Sequence, residues 1–195
     1  MDSLPARLAH ATPISVKGTW QRHVPAKHLA NALAGQSASG RWGTEGGFPV
    51  LYLGQPTESV VVEAYRHLID PIADDPMPPI SPRALITCDV SVSMILDLRS
   101  ATNRVSADLT MEQLQSDTRD RMAYSVCQNV AATAHQLEFH GLIAPAATQM
   151  GETLVLFTDR LDDDEQPSLI AEELWTALPP DPRNPGASRH LRLVP

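Results

Sequence analysis

Three side chains in one short stretch of this chain are of types that can do chemistry together. They lie within Gly40–His67, GRWGTEGGFPVLYLGQPTESVVVEAYRH. Arg41 sits in a glycine- and serine-rich loop, where the backbone can approach an anion closely while a guanidinium forks onto its oxygens. Tyr52 lies in the apolar run Val50-Leu51-Tyr52-Leu53 and offers a flat face with a hydroxyl at one end. Glu63 interrupts the run Val60-Val61-Val62-Glu63-Ala64, where a carboxylate is costly unless it is paired or has a task. On a helix Glu63 shares a face with Ser59 and His67. It can pair with His67 or Arg66, or it can polarise a sugar hydroxyl and stabilise positive charge growing on a ribose ring. Taken singly, the bland readings are a solvated arginine, a packed tyrosine and an ion pair. Trp42 reads as a packing anchor.

A strand, a turn and a helix must position these groups, and the patterning supplies them. Val50–Leu53 predicts a strand and Thr57–Ile69 a helix opening after Pro56. Upstream, Val16–His23 predicts a first strand and Ala26–Ala34 a helix stopped by Gly35. Downstream, Ala84–Val92 and Met94–Leu98 predict two strands, and Thr110–Leu114 a short helix. Arg119–Phe139 predicts the longest helix, with Met122, Val126, Val130, Ala134 and Leu137 as its apolar stripe. Leu142–Ala144 and Thr153–Phe157 predict strands around the loop PAATQMGE, and Ser168–Leu178 a final helix. Asp70–Pro82, with five prolines, and the acidic run Asp159–Glu165 predict solvated loops. The expectation is an α+β class: one compact domain of mixed short strands flanked by helices, over residues 16–178. Residues 1–15 read as a flexible leader and 179–195 as a proline-rich tail.

Composition narrows the function classes. With 195 residues and 43 % apolar content, the chain can bury one sizeable core. A net charge of −8 argues against direct nucleic-acid binding, which needs a positive surface. No apolar run is long enough to span a bilayer, and the N-terminus lacks signal-peptide character, so a cytoplasmic protein is expected. Cys88 and Cys127 belong to no CxxC pattern and read as buried thiols. The seven histidines fall into no metal-ligand spacing, so no metal is expected.

In order, Gly40-Arg41-Trp42, Tyr52-Leu53-Gly54, VVVEAYRH and GLIAPAATQMGETLVLF resemble the RES domain family over roughly residues 18–160. Tyr52 lies eleven residues from Arg41, and Glu63 eleven from Tyr52, as in that family. RES proteins are toxins of RES/Xre toxin–antitoxin systems, similar to ADP-ribosyltransferases in fold, that deplete NAD by cleaving its nicotinamide–ribose bond. The resemblance implies NAD as substrate, no tightly bound cofactor and an Xre-like antitoxin protein as partner, bound over the active site. It implies that Arg41 holds the NAD phosphates, with Arg22 on the first strand as a second contact. Tyr52 would pack against the nicotinamide or its ribose, Trp42 counts among the substrate-binding residues, and Glu63 would hold the ribose hydroxyls. The family's serine follows a proline; here the motif reads Pro145-Ala146-Ala147-Thr148, so Ala146 stands in its place and Thr148 is the nearest hydroxyl. Two readings stand beside NAD cleavage: a weakly catalytic RES-like protein that binds a nucleotide or protein, and a plain interaction module. The acceptor (water, phosphate or a protein side chain) and the oligomeric state, a homodimer included, are left open.

Overall fold

The computed structural model describes residues 2–71 and 80–184. In chain order the elements are α1 (Leu4–Leu8), β1 (Ile14–Pro25), a 3-10 turn (Ala26–Asn31), β2 (Val50–Gln55), α2 (Thr57–Leu68) and β3 (Arg83–Asp97). They continue with α3 (Ala101–Ser106), α4 (Met111–Gln115), α5 (Arg121–Gln136), β4 (Gly141–Pro145), β5 (Glu152–Phe157) and β6 (Ser168–Trp175). Five strands close on themselves in the order β1-β2-β5-β4-β3, the last pairing back to β1. All of these pairings are antiparallel except β3–β4. The α+β expectation holds as a mixed single domain built on this closed barrel.

Alternation decides which side chains fill the barrel. Leu51, Leu53, Leu154, Leu156 and Ile143 point inward with Val16, Trp20, Cys88, Val90 and Val92. Their neighbours Val50, Val155, Phe157, Leu142 and Ala144 point outward, beneath α5. These strands are covered on both faces, so they read as continuous apolar runs in the sequence. A second outer layer forms where Val60, Val61, Ala64 and Tyr65 of α2 pack with Leu85, Trp175 and Leu178.

The two strands expected at 84–92 and 94–98 are one strand with a bulge. Val16 pairs with Val92 but Ile14 pairs with Ile95, so β3 carries one extra residue, and Met94 adopts φ +53°. The inward set switches from even positions (Cys88, Val90, Val92) to Ile95 across this point. The bulge frees backbone groups, and Glu165 takes them up. Its Oε1 accepts from the Ser93 N–H (2.8 Å) and Ser93 Oγ (2.7 Å), and its Oε2 lies 2.5 Å from His140 Nδ1. The acidic run is therefore not wholly a solvated turn: its last carboxylate is buried, 8 % exposed. Burial works to raise the Glu165 carboxyl, but the bonds from Ser93 and His140 hold it below the usual carboxylate range. A depressed carboxylate stabilises above its unfolded pKa and loses that contribution as pH falls through the folded one. Glu165→Ala is expected to cost about 2–3 kcal/mol near neutral pH, a Tm loss of about 5–10 °C. The gap to wild type should narrow below about pH 4 in thermal melts.

Other expectations are corrected. Ser168–Leu178 is not a helix: Ser168–Trp175 is β6, antiparallel to the first half of β3. Its helix-forming residues yield to the unpaired edge that β3 offers there, a tertiary override of propensity. Ala26–Ala34 shortens to the 3-10 turn. The α5 stripe is rotated: Ala123, Cys127, Val130, Ala131 and Ala134 are buried, whereas Met122 is 80 % exposed. Small residues on that face let the helix sit close to the barrel. Residues 4–8 of the expected leader form α1, with Leu8 fully buried in the α5 core and Arg7 Nε donating to the Ser106 carbonyl (2.8 Å). At the other end, residues 179–184 strap α2. The Tyr65 hydroxyl donates to Pro179 O (2.9 Å), and Arg183 bridges Asp70 and Asp181. Residues 72–79 of the proline-rich loop and 185–195 of the tail lie outside the described residues. Both cysteines are free and buried. Among the described residues no helix is long and apolar enough to cross a membrane, and no three His, Cys, Asp or Glu group as a metal site.

Candidate functional site

A cleft of about 440 Å³ opens between the barrel wall, α2, the α4–α5 connection and the Gly40–Trp42 loop. That size suits a small-molecule ligand. Arg22, Arg41, Trp42, Tyr52, Glu63 and Thr148 all line it, so the fold brings every sequence-predicted site residue to one place.

The Arg41 loop is held from below. The Tyr52 hydroxyl accepts the Trp42 N–H (2.9 Å), and Gln128 Nε2 on α5 donates to the carbonyls of Gly40 (2.8 Å) and Gly43 (3.1 Å). Glycine is required at position 40, because a Cβ there would stand 2.8 Å from Tyr52 Oη. Tyr52 thus supports the loop as well as lining the cleft. Burial pushes its phenol well above the ordinary range, more than the Trp42 N–H and Arg41 offset, so it stays neutral. Trp42 is 2 % exposed, a packing anchor at the cleft edge.

Arg41 is largely committed to the protein. Its Nη1 donates to Gln113 O (2.6 Å) and Ser116 Oγ (3.0 Å), its Nη2 donates to Ser116 O (2.8 Å), and its Cζ lies 4.5 Å from the Tyr124 ring centroid. It receives the carbonyls that α4 leaves unsatisfied at its C-terminal end. Arg22 differs. Among the described residues it makes no hydrogen bond or ion pair, and its Nε is buried without a partner. Burial lowers the Arg22 guanidinium's pKa, Cys88 opposing only weakly. A cation in this position is held at a cost until an anion meets it.

Glu63 projects from α2 into the cleft with its side chain 37 % exposed. His67 Nε2 lies 2.6 Å from Oε1, and Arg66 Nε lies 3.7 Å from Oε2. Burial works to raise the carboxyl; the His67 hydrogen bond and charge, then Arg66 and Arg41, outweigh it and hold the group ionised. Glu63 is the only carboxylate lining the cleft among the described residues, against Arg22, Arg41 and Arg66, in a chain of net charge −8. This local excess of positive charge suits an anionic ligand.

Ala146 does not reach the cleft wall. It is buried at 2 %, its N–H donating to Gly151 O (3.0 Å). Thr148 does, and its Oγ1 lies 2.7 Å from Ser59 Oγ, a second cleft-lining hydroxyl. The sequence offered Arg66 and Ser59 only as helix neighbours of Glu63, and gave no sign of Tyr124 in the cleft or of Ser116 behind Arg41. Arg66 and Ser59 were findable, since both share α2 with Glu63. Tyr124 and Ser116 come from distant segments that only the closed barrel brings near.

Comparison with known proteins follows this geometry. No curated protein matches significantly. A chain of the crystal structure of the M. tuberculosis MbcT–MbcA toxin–antitoxin complex superposes with a TM-score of 0.73 at 26 % identity, over 88 % of this chain and 91 % of that one. The RES domain matches residues 17–177, which include Arg22, the Arg41 loop, Tyr52, Glu63 and Thr148, so the chain belongs to the RES domain family.

Proposed function

We propose that the protein is a RES-type toxin that degrades NAD by breaking its nicotinamide–ribose bond. The observation that carries this reading is the pairing, in one cleft, of an ionised carboxylate on a rigid helix with an arginine that has no protein partner. Arg22, assisted by Arg66, binds the diphosphate. Glu63 accepts hydrogen bonds from the ribose hydroxyls next to C1′. As the C1′–N bond breaks, its electron pair leaves with nicotinamide, which departs neutral, and the positive charge moves onto the ribose ring. Glu63 stabilises that charge in a cleft partly shielded from water. An oxygen of water or phosphate then forms the new bond to C1′ and releases its proton. No tightly bound cofactor takes part. The ADP-ribosyltransferase-like description of the fold belongs to this reading.

The similarity to a toxin–antitoxin complex supports an antitoxin partner for this chain; its Xre type follows from the family resemblance, and action in the cytoplasm is part of the proposal. One observation favours a second reading, binding without turnover: the position of the family serine is the buried, non-polar Ala146.

Purified protein, free of any antitoxin, is expected to release nicotinamide from NAD, followed by chromatography with and without inorganic phosphate. Stimulation by phosphate, with ADP-ribose 1″-phosphate formed, would identify phosphorolysis; equal rates with ADP-ribose formed would identify water. Saturable NAD binding in calorimetry with no nicotinamide released would replace the proposal with the second reading.

A further inference from the structure

We propose that His67 is a positioning residue for Glu63, and that its protonation switches the site off as pH falls. The inference rests on the NAD-cleavage reading and adds its regulation. His67 lies one helical turn beyond Glu63, and its Nε2 is 2.6 Å from Oε1. One neutral tautomer donates Nε2–H to the carboxylate; it fixes the rotamer and leaves the full negative charge facing the cleft. The imidazolium makes the same bond but brings a positive charge beside the ring on which positive charge must develop. Those two states differ in the transition state more than in the ground state, so the proton acts on kcat.

The side chain is placed for this role. It is 50 % exposed, so protons reach it from solvent, and it also lines the cleft. Glu63 of α2 is bonded to it, Arg66 of α2 lies on the other oxygen of that carboxylate, and His23 of β1, itself beside Arg22, faces it. Beyond His23 stands Arg83 of β3, whose Nη2 is 2.7 Å from His23 Nδ1. His23 does not compete as the switch: burial, then Arg83, His67 and Arg22, hold it well below the ordinary histidine range.

The test is nicotinamide release against pH for wild type, His67→Ala and His67→Gln, with kcat and KM separated. A glutamine can donate a hydrogen bond to Glu63 but cannot titrate. The wild type is expected to lose kcat on the acid side through a single ionisation that His67→Gln lacks. His67→Ala should lower kcat about tenfold or more, with KM changed less than about threefold. His67→Gln should recover part of that loss and show no acid limb above the titration of Glu63 itself. Side-chain NMR supplies a readout independent of activity: the hydrogen-bonded His67 Nε2–H signal should be lost in Glu63→Ala. An acid limb retained in His67→Gln, or a His67→Ala enzyme with wild-type kcat, would overturn the proposal while leaving NAD cleavage standing. A wild type that releases no nicotinamide would overturn both.

Discussion

Glu63→Gln is expected to yield a folded protein that releases nicotinamide from NAD at least about 10³-fold more slowly than wild type. Glutamine keeps the size and one acceptor oxygen of the side chain but removes the only negative charge lining the cleft among the described residues. Ribose hydroxyls can still meet an amide oxygen, so binding survives, and the loss falls on kcat. Stability should change little. The carboxylate is 37 % exposed, so its pairs with His67 and Arg66 are screened by solvent, and removing them costs under about 1 kcal/mol. Melting followed by circular dichroism should therefore shift by no more than about 4 °C. The measurement is single-turnover nicotinamide release at saturating NAD. Activity within tenfold of wild type would remove Glu63 from the chemistry, and a collapsed melt would make it a structural residue instead. Because the His67 hydrogen bond and the nearby charges outweigh burial and hold the Glu63 carboxyl low, an acid limb above the carboxylate range must come from another group.

The elements that position Glu63 were legible because they are local. Val50–Gln55 and Thr57–Leu68 fall within two residues of the strand and helix that the apolar run and Pro56 predict. The spacing that placed Arg41, Tyr52 and Glu63 in a family motif also placed them in one cleft. What escaped the sequence is non-local. Ser168–Trp175 has the composition of a helix and becomes a strand only because β3 has a free edge beside it. Glu165 looks solvated in an acidic run until the β3 bulge supplies it with the Ser93 N–H and hydroxyl. The division of labour between the arginines was hidden for the same reason. Nothing near Arg41 announces that the end of α4, over seventy residues away, will occupy its guanidinium.

That division gives the second large effect: Arg22→Ala and Arg41→Ala should fail in opposite ways. Arg41 holds two backbone carbonyls and the Ser116 hydroxyl and lies over Tyr124. Removing it strands the part-buried Gln113 carbonyl and Ser116 hydroxyl, while Ser116 O keeps Arg66 Nη2 (3.0 Å), at a cost of about 1–3 kcal/mol, or about 3–10 °C in Tm. Its effect on NAD should follow from loosening the Gly40–Trp42 loop and remain below tenfold once the protein is kept folded at low temperature. Arg22 has no such protein partners among the described residues, and its buried Nε is unmet. Alanine there relieves a desolvated cation, so Tm should hold or rise. Under the proposed function, the same substitution removes the guanidinium that would meet the diphosphate. A charge-assisted, forked contact of about 2–3 kcal/mol corresponds to a loss in NAD affinity of about 30- to 150-fold. Differential scanning fluorimetry and NAD titration of the two variants side by side decide the matter. A destabilised Arg22→Ala that binds NAD normally, or a stable Arg41→Ala that has lost NAD, would return the phosphate-binding role to Arg41, where the GRW motif alone first placed it.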